Sequence, residues 1–141
     1  MTPGAARETL LGVPDSDAVK LAVARRLMQA IQTGDVATVE ALYADDMVGW
    51  RNFDRRELGK PAMVRIIAFL AKQVRDLRYE AIRVEPTPSG YVQQHVLHAT
   101  APDGSKVESP ACLVVAVEGG QIRRLEEYLD SAAIAPLLRR A

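Results

Sequence analysis

The hydrophobic pattern of this chain changes its period once. Up to about Val74 the apolar residues recur at three- and four-residue steps, and from Tyr79 onward they alternate with polar ones. Helices gathered toward one end and strands toward the other must pack as layers, with the helices on one face of an antiparallel sheet, which is an α+β fold class. In the helical part, Leu21, Ala24, Leu27, Met28 and Ile31 share a stripe that begins after Asp15-Ser16, both of which are capping types. Gly34 suits the left-handed end of that helix, and Asp35 can cap a short second one carrying Val36, Val39 and Leu42. The run Met47 to Phe53 predicts a strand that ends in polar loop. Pro61 fits the first turn of a third helix, because its missing N–H would be unpaired there, and Met63, Ile66, Ile67, Leu70 and Val74 supply its apolar face.

The alternating part divides into Tyr79 to Glu85, Tyr91 to Thr100, Lys106 to Val117 and Gln121 to Asp130. Their separators, Pro86 to Gly90, Pro102-Asp103-Gly104 and Glu118-Gly119-Gly120, are turn formers, so the strands predict an antiparallel meander. Ile134, Leu137 and Leu138 predict a short C-terminal helix or docked tail, shortened by Pro136. Residues 1–15 lack periodicity and are expected as a flexible lead-in; residues 16–141 form a single domain. Three helices folded over a strongly bent sheet enclose a hollow, and a hollow lined mainly by apolar residues is a natural site for a small molecule.

Charge and cysteine content narrow the partners. The 18 Lys and Arg residues balance 18 Asp and Glu residues along the whole chain, which leaves no basic footprint for nucleic acid or an anionic membrane. No apolar run approaches the ~20 residues of a membrane span, and Met1 to Pro14 lacks a signal-peptide core, so the expected location is cytoplasmic. Cys112 has no intrachain partner and is read as a buried, inert thiol. Two histidines without ligand spacing predict no metal site, and no glycine-rich phosphate loop is present, so no cofactor is expected. Asp54-Arg55-Arg56 and Arg139-Arg140 read as solvated charge.

Candidate site residues come from strand parity. Glu127 shares a face with Leu125 and Leu129, whereas Glu126 shares one with Arg124 and Tyr128, so one of the two acids sits on an apolar face. An acid facing the hollow would be desolvated, its pKa would rise toward neutrality, and it would become a usable general acid or base, with Leu125 lining the site beside it. His95 has the pKa class for proton transfer and lies in a polar strand with Gln93, Gln94 and His98. Gln94 and His95 point to opposite faces, so the register decides which one reaches the hollow. Trp50 and Asn52 also share a face; they suit an apolar ligand with one oriented polar group, or else a core Trp beside an Asn that finishes a strand.

The stretches TGDVATVEALYADD, WRNFD, HVLHATAPDGSKVESPACLVVAV and GGQIRRLEEYLD, in that order of elements, resemble the SnoaL-like branch of the nuclear transport factor 2-like superfamily. That superfamily also contains limonene-epoxide hydrolases, ketosteroid isomerases and polyketide cyclases, and the resemblance runs from Ser16 to Leu138. It implies a cone-shaped fold, with three N-terminal helices on a curved, mainly antiparallel sheet. It also implies a homodimer and a small apolar or polyketide-like ligand, with no metal or organic cofactor. The expected activity is isomerase- or cyclase-type acid–base chemistry, with Glu127 and His95 catalytic and Trp50, Asn52, Gln94 and Leu125 binding substrate. The alternatives are a non-catalytic ligand-binding or interaction module, and an epoxide hydrolase. In the epoxide-hydrolase branch, the resemblance implies that a water-positioning Tyr and Asn fall on Trp50 and Asn52. The Arg and Asp of a middle strand fall on Gln94 and Val96, and the last acid falls on Glu127. Losing the Arg/Asp pair removes half of the acid–base set that epoxide opening needs.

Overall fold

The computed structural model describes residues 14–138, so the lead-in expected over residues 1–15 lies outside them apart from Pro14 and Asp15, as does Arg139-Arg140. Helix α1 spans Asp17–Thr33. Its first turn is closed by the Ser16 hydroxyl, which accepts from the Val19 N–H at 3.2 Å, and its last by Gly34 at φ 72°. Helix α2, Val36–Leu42, follows at once, with Asp35 accepting from the Thr38 N–H and hydroxyl at 3.1 and 2.6 Å. Helix α3, Lys60–Gln73, carries Pro61 in its first turn. These three match the sequence reading closely, and they bury Val23, Ala24, Leu27, Ala30 and Ile31 from α1 and Met63 and Ile67 from α3.

The six strands are β1 (Tyr43–Arg51), β2 (Glu57–Gly59), β3 (Arg75–Pro86), β4 (Gly90–Thr100), β5 (Lys106–Glu118) and β6 (Gln121–Leu129). They lie in the order β2-β1-β6-β5-β4-β3, and β3 to β6 form the expected meander. β1 runs parallel to β6, which makes the sheet mixed, and β2 pairs with β1 where a polar loop was expected. β1 starts four residues earlier than Met47, directly at the end of α2. Its register against β6 shifts between Tyr43 and Val48; Tyr43 and Ala44 are both buried there, and Asp45 and Asp46 both exposed. The outer strand β3 shifts register twice, and at those places Asp76 and Ala81 take φ of 56° and 52°. Bulges of this kind bend a strand and sharpen its twist, which curls the sheet into a cone.

A fourth helix, α4 (Ser131–Leu138), packs on β5. The Asp130 carboxylate accepts from the Ala132 N–H at 2.9 Å at its start, and Pro136 lies within its eight residues. Ile134 and Leu137 bury against Ala99, Ala101 and Val107, forming a second apolar cluster beside the main core. Lys20 joins a helix to the sheet: its buried ammonium donates to the carbonyls of Thr87 and Pro88 at 2.7 and 3.3 Å, pinning the β3–β4 turn to α1.

Candidate active site

Between the helices and the concave sheet face lies a cavity of about 120 Å³. Leu27 and Ile31 of α1, Met63, Ile67 and Leu70 of α3, and Ile134 and Leu137 of α4 form one side. Leu77, Leu97, Leu113, Leu125 and Leu129 form the sheet side. Apolar cavities of about 150 Å³ take up a benzene-sized molecule, so the enclosed part of this one accommodates roughly a single ring or a short branched chain. Gly49 makes room for the helix side: a Cβ there would collide with the Met63 thioether.

Four polar side chains interrupt this lining: Tyr43, Arg51, Tyr79 and Glu127. Glu127 sits on β6 between Leu113 on β5 and Arg51 on β1, its cross-strand neighbours. Of the two adjacent acids it is therefore the inward one, while Glu126 faces outward and accepts from Arg124 at 2.9 Å. Desolvation pushes the Glu127 carboxyl up from 4.5 to about 7, and the positive charge of Arg51 offsets part of that rise. Tyr43 and Tyr79 both feel the charge of Glu127. Burial, reinforced by that charge, raises their phenol pKa values far above the ordinary range, so both hydroxyls stay protonated and able to donate.

Arg51 is held from two sides. Its Nη2 donates to Asp54 at 2.6 Å, and its guanidinium lies 4.8 Å from the centre of the Phe53 ring. Its Nε is buried and has no hydrogen-bond partner.

The sequence candidates separate on these coordinates. Glu127 and Leu125 line the cavity. His95 is buried but absent from the cavity wall, so its expected place in the site is corrected: its ring stacks on Tyr79 with centroids 4.1 Å apart and planes 10° off parallel. The Gln93 amide donates to His95 Nδ1 at 2.9 Å, and desolvation lowers the imidazole pKa to about 4, so the ring is neutral and supports Tyr79 from behind. Gln94, expected as a ligand contact, is exposed on the convex face beside Cys112 and Tyr128. Asn52 is also outside the cavity. Its side-chain oxygen accepts from the Leu129 N–H and its own N–H donates to the Glu127 carbonyl, both at 3.0 Å, so it extends the β1–β6 pairing and fixes the strand that carries the acid. Trp50 borders the cavity, yet its indole packs against Tyr128 with centroids 5.4 Å apart. Cys112 is half-buried rather than fully enclosed.

Tyr43, Tyr79 and Arg51 were not among the sequence candidates. The alternation Leu77-x-Tyr79 placed Tyr79 on an apolar face and could have signalled it. Arg51 was masked by pairing Trp50 with Asn52, which selects the wrong face of β1. Tyr43 lies before a bulge that simple alternation does not anticipate.

No group of three or more His, Cys, Asp and Glu side chains among the described residues is arranged to hold a metal ion, and no described helix is long and apolar enough to cross a membrane. Residues 24–125 match the family model of the SnoaL-like domain. No curated protein matches the chain by sequence. Among solved structures, an LEH-like epoxide hydrolase of M. tuberculosis is 20% identical with a TM-score of 0.67, covering 86% of this chain and 91% of its own. A proposed polyketide cyclase of Xanthomonas campestris pv. campestris is 20% identical with a TM-score of 0.73, covering 85% and 97%. An NTF2-like protein of Burkholderia xenovorans is 15% identical with a TM-score of 0.72, covering 88% and 98%. At these identities the likeness establishes a shared fold, and the chemistry has to be read from this chain's own cavity.

Proposed function

The chain belongs to the SnoaL-like domain family, and from that premise we propose that it is an acid–base enzyme of isomerase or cyclase type. Its substrate is a small, largely apolar molecule that carries an enolisable carbonyl. The observation that carries this reading is the single carboxyl of a largely apolar cavity, Glu127, poised at about 7 beside two tyrosine hydroxyls. Ionised Glu127 takes a proton from the carbon next to the carbonyl, the carbonyl oxygen gains the electron pair, and the Tyr43 and Tyr79 hydroxyls donate to that oxygen. Protonated Glu127 then returns the proton to the same or another carbon, or the enolate carbon bonds to a second carbonyl carbon within the molecule and the alkoxide so formed takes the proton from Glu127. A base whose pKa lies near the working pH is both sufficiently ionised and sufficiently basic. Donors already oriented in a dry cavity stabilise developing negative charge without reorganising.

The cavity volume favours one-ring substrates. Deuterium uptake at the α-carbon of phenylacetone in D2O, followed by proton NMR, tests the reaction. Wild-type protein should accelerate exchange, and Glu127→Gln should cut that acceleration at least ~100-fold, since it removes proton transfer and keeps shape. Ligand binding without any exchange would make the protein a binding module instead. Epoxide opening is less well supported: it needs a water activated and the leaving oxygen protonated, and Glu127 is the single carboxylate among the residues lining the cavity.

We also propose a homodimer, formed through the convex sheet face that the helices leave uncovered. Val114 and Tyr128 are exposed there beside the half-buried Trp50 and Cys112. Sedimentation at micromolar concentration tests it, and a monomer mass would reject it.

A further inference from the structure

A residue that lines a cavity is free to vary only if nothing else depends on its shape. Among the described residues that line this cavity, all but one belong to a helix or a strand, where an exchange would also unpack the core. The exception is Phe53, which sits half-buried in the loop between β1 and β2. It packs against the apolar cluster that Ile134 and Leu137 of α4 form with the sheet. Loops carried on a rigid frame are where side chains set recognition without disturbing the fold.

The ring is nevertheless held in place. Before it, the Asn52 N–H donates to the Glu127 carbonyl at 3.0 Å; after it, the Arg55 N–H donates to the Arg51 carbonyl at 2.8 Å. The Arg51 guanidinium lies 4.8 Å from the ring centre and is itself fixed by its 2.6 Å bond to Asp54, so the ring rests against a stationary charged plane. Strands β1 and β6 run parallel with Arg51 opposite Glu127, so Phe53 follows Arg51 as Leu129 follows Glu127, and both pack on the α4 cluster. A molecule whose carbonyl lies at Glu127 meets the Phe53 ring as it extends toward α4.

We propose that Phe53 is the residue that sets substrate size: its ring holds the cavity to one-ring ketones, and a smaller residue in its place admits a second fused ring. This rests on the acid–base reading above and adds which side chain selects the substrate. Deleting a benzyl side chain opens a space shaped for a benzene ring, which an apolar ligand fills where the surroundings do not collapse.

The test compares phenylacetone with 2-naphthylacetone, which share the reacting group and differ by one fused ring, through deuterium uptake in D2O corrected for uncatalysed exchange. Wild-type protein should favour phenylacetone at least ~10-fold, since a single methylene misfit already discriminates by 10–200-fold. Phe53→Ala should invert that preference, changing the ratio of the two rates at least ~10-fold. A residue that only supports the fold would lower both rates alike. Phe53→Trp acts in the other direction: it should depress phenylacetone exchange at least ~10-fold more than butanone exchange, and it decides the matter should Phe53→Ala fail to fold. Equal wild-type rates on the two aryl ketones, or ratios unmoved in the variants, would overturn the assignment. Calorimetric titration of the same ketones reads size selection without chemistry. An affinity preference that inverts in Phe53→Ala while wild type accelerates no exchange would uphold Phe53 as the selecting wall and overturn the acid–base reading. Failure of both ketones to bind would remove the ligand site, and this inference with it.

Discussion

Replacing Glu127 by Gln should raise the stability of the protein at alkaline pH and leave it unchanged in acid. The carboxyl ionises near 4.5 in an unfolded chain and at about 7 in the folded one. Below about 4.5 both states are protonated and the group contributes no difference. Between about 4.5 and 7 the unfolded chain releases its proton first, so stability falls as pH rises, and above 7 the loss levels off. The full difference corresponds to about 3 kcal/mol, and water entering the cavity reduces it to about 2–3 kcal/mol. His95 slopes the other way. Its imidazole is held neutral down to about 4 by desolvation, against 6.5 when free, so the unfolded chain gains its proton first and stability is lost as pH falls from about 6.5 to 4. In the wild type the two slopes nearly cancel over most of that window. Glu127→Gln removes one of them. Urea unfolding followed by Trp50 fluorescence at pH 4.5 and pH 8 measures the outcome: the variant should be more stable by about 2–3 kcal/mol at pH 8, with the advantage vanishing near pH 4.5. A gap of equal size at both values would mean that Glu127 is solvated in the folded protein, and the proton-transfer role assigned to it would lose its physical basis.

Other substitutions separate positioning from contact with the ligand. Gly49→Ala should cost about 1–3 kcal/mol in the same unfolding assay, because its Cβ overlaps the Met63 thioether; combined with Met63→Ala, which costs stability of its own, the total should be less than the sum of the two single losses. Asn52→Ala should cost about 1 kcal/mol by freeing the Leu129 N–H and keep α-carbon exchange of phenylacetone within about threefold of wild type, whereas a loss as large as that of Glu127→Gln would return Asn52 to the ligand site. His95→Asn retains an acceptor for Gln93 and cannot titrate, so the stability loss between about 6.5 and 4 should disappear. The same variant should keep α-carbon exchange within about tenfold of wild type, since His95 sits behind Tyr79; a loss as large as that of Glu127→Gln would make the imidazole a proton carrier after all.

Which parts of this molecule can be read from its residues follows from the range of the interactions involved. Helices α1 to α3 are set by caps, a helix-ending glycine and a proline, all acting within four residues, and the meander β3 to β6 by alternation and turn formers. The parallel pairing of β1 with β6 joins positions 76 residues apart, such as Trp50 with Glu126, and nothing local encodes it. That pairing is what brings Arg51 next to Glu127. The parity of Glu127 within β6 was legible because the strand is regular from Arg124 to Leu129. On β4 parity separated Gln94 from His95 without saying which faced the helices, and on β1 the resemblance-based alignment selected Trp50 and Asn52, one residue out of phase with the inward Gly49 and Arg51. A shift of one residue reverses every side chain of a strand, so a resemblance can carry a fold intact while leaving open which residues face its cavity. The acid at the closing strand survives such a shift only because both neighbouring positions, Glu126 and Glu127, are carboxylates. Their environments then separate them: the outward one pairs with Arg124 in solvent, and the inward one, deprived of water, is held near 7, as the proposed proton transfer requires.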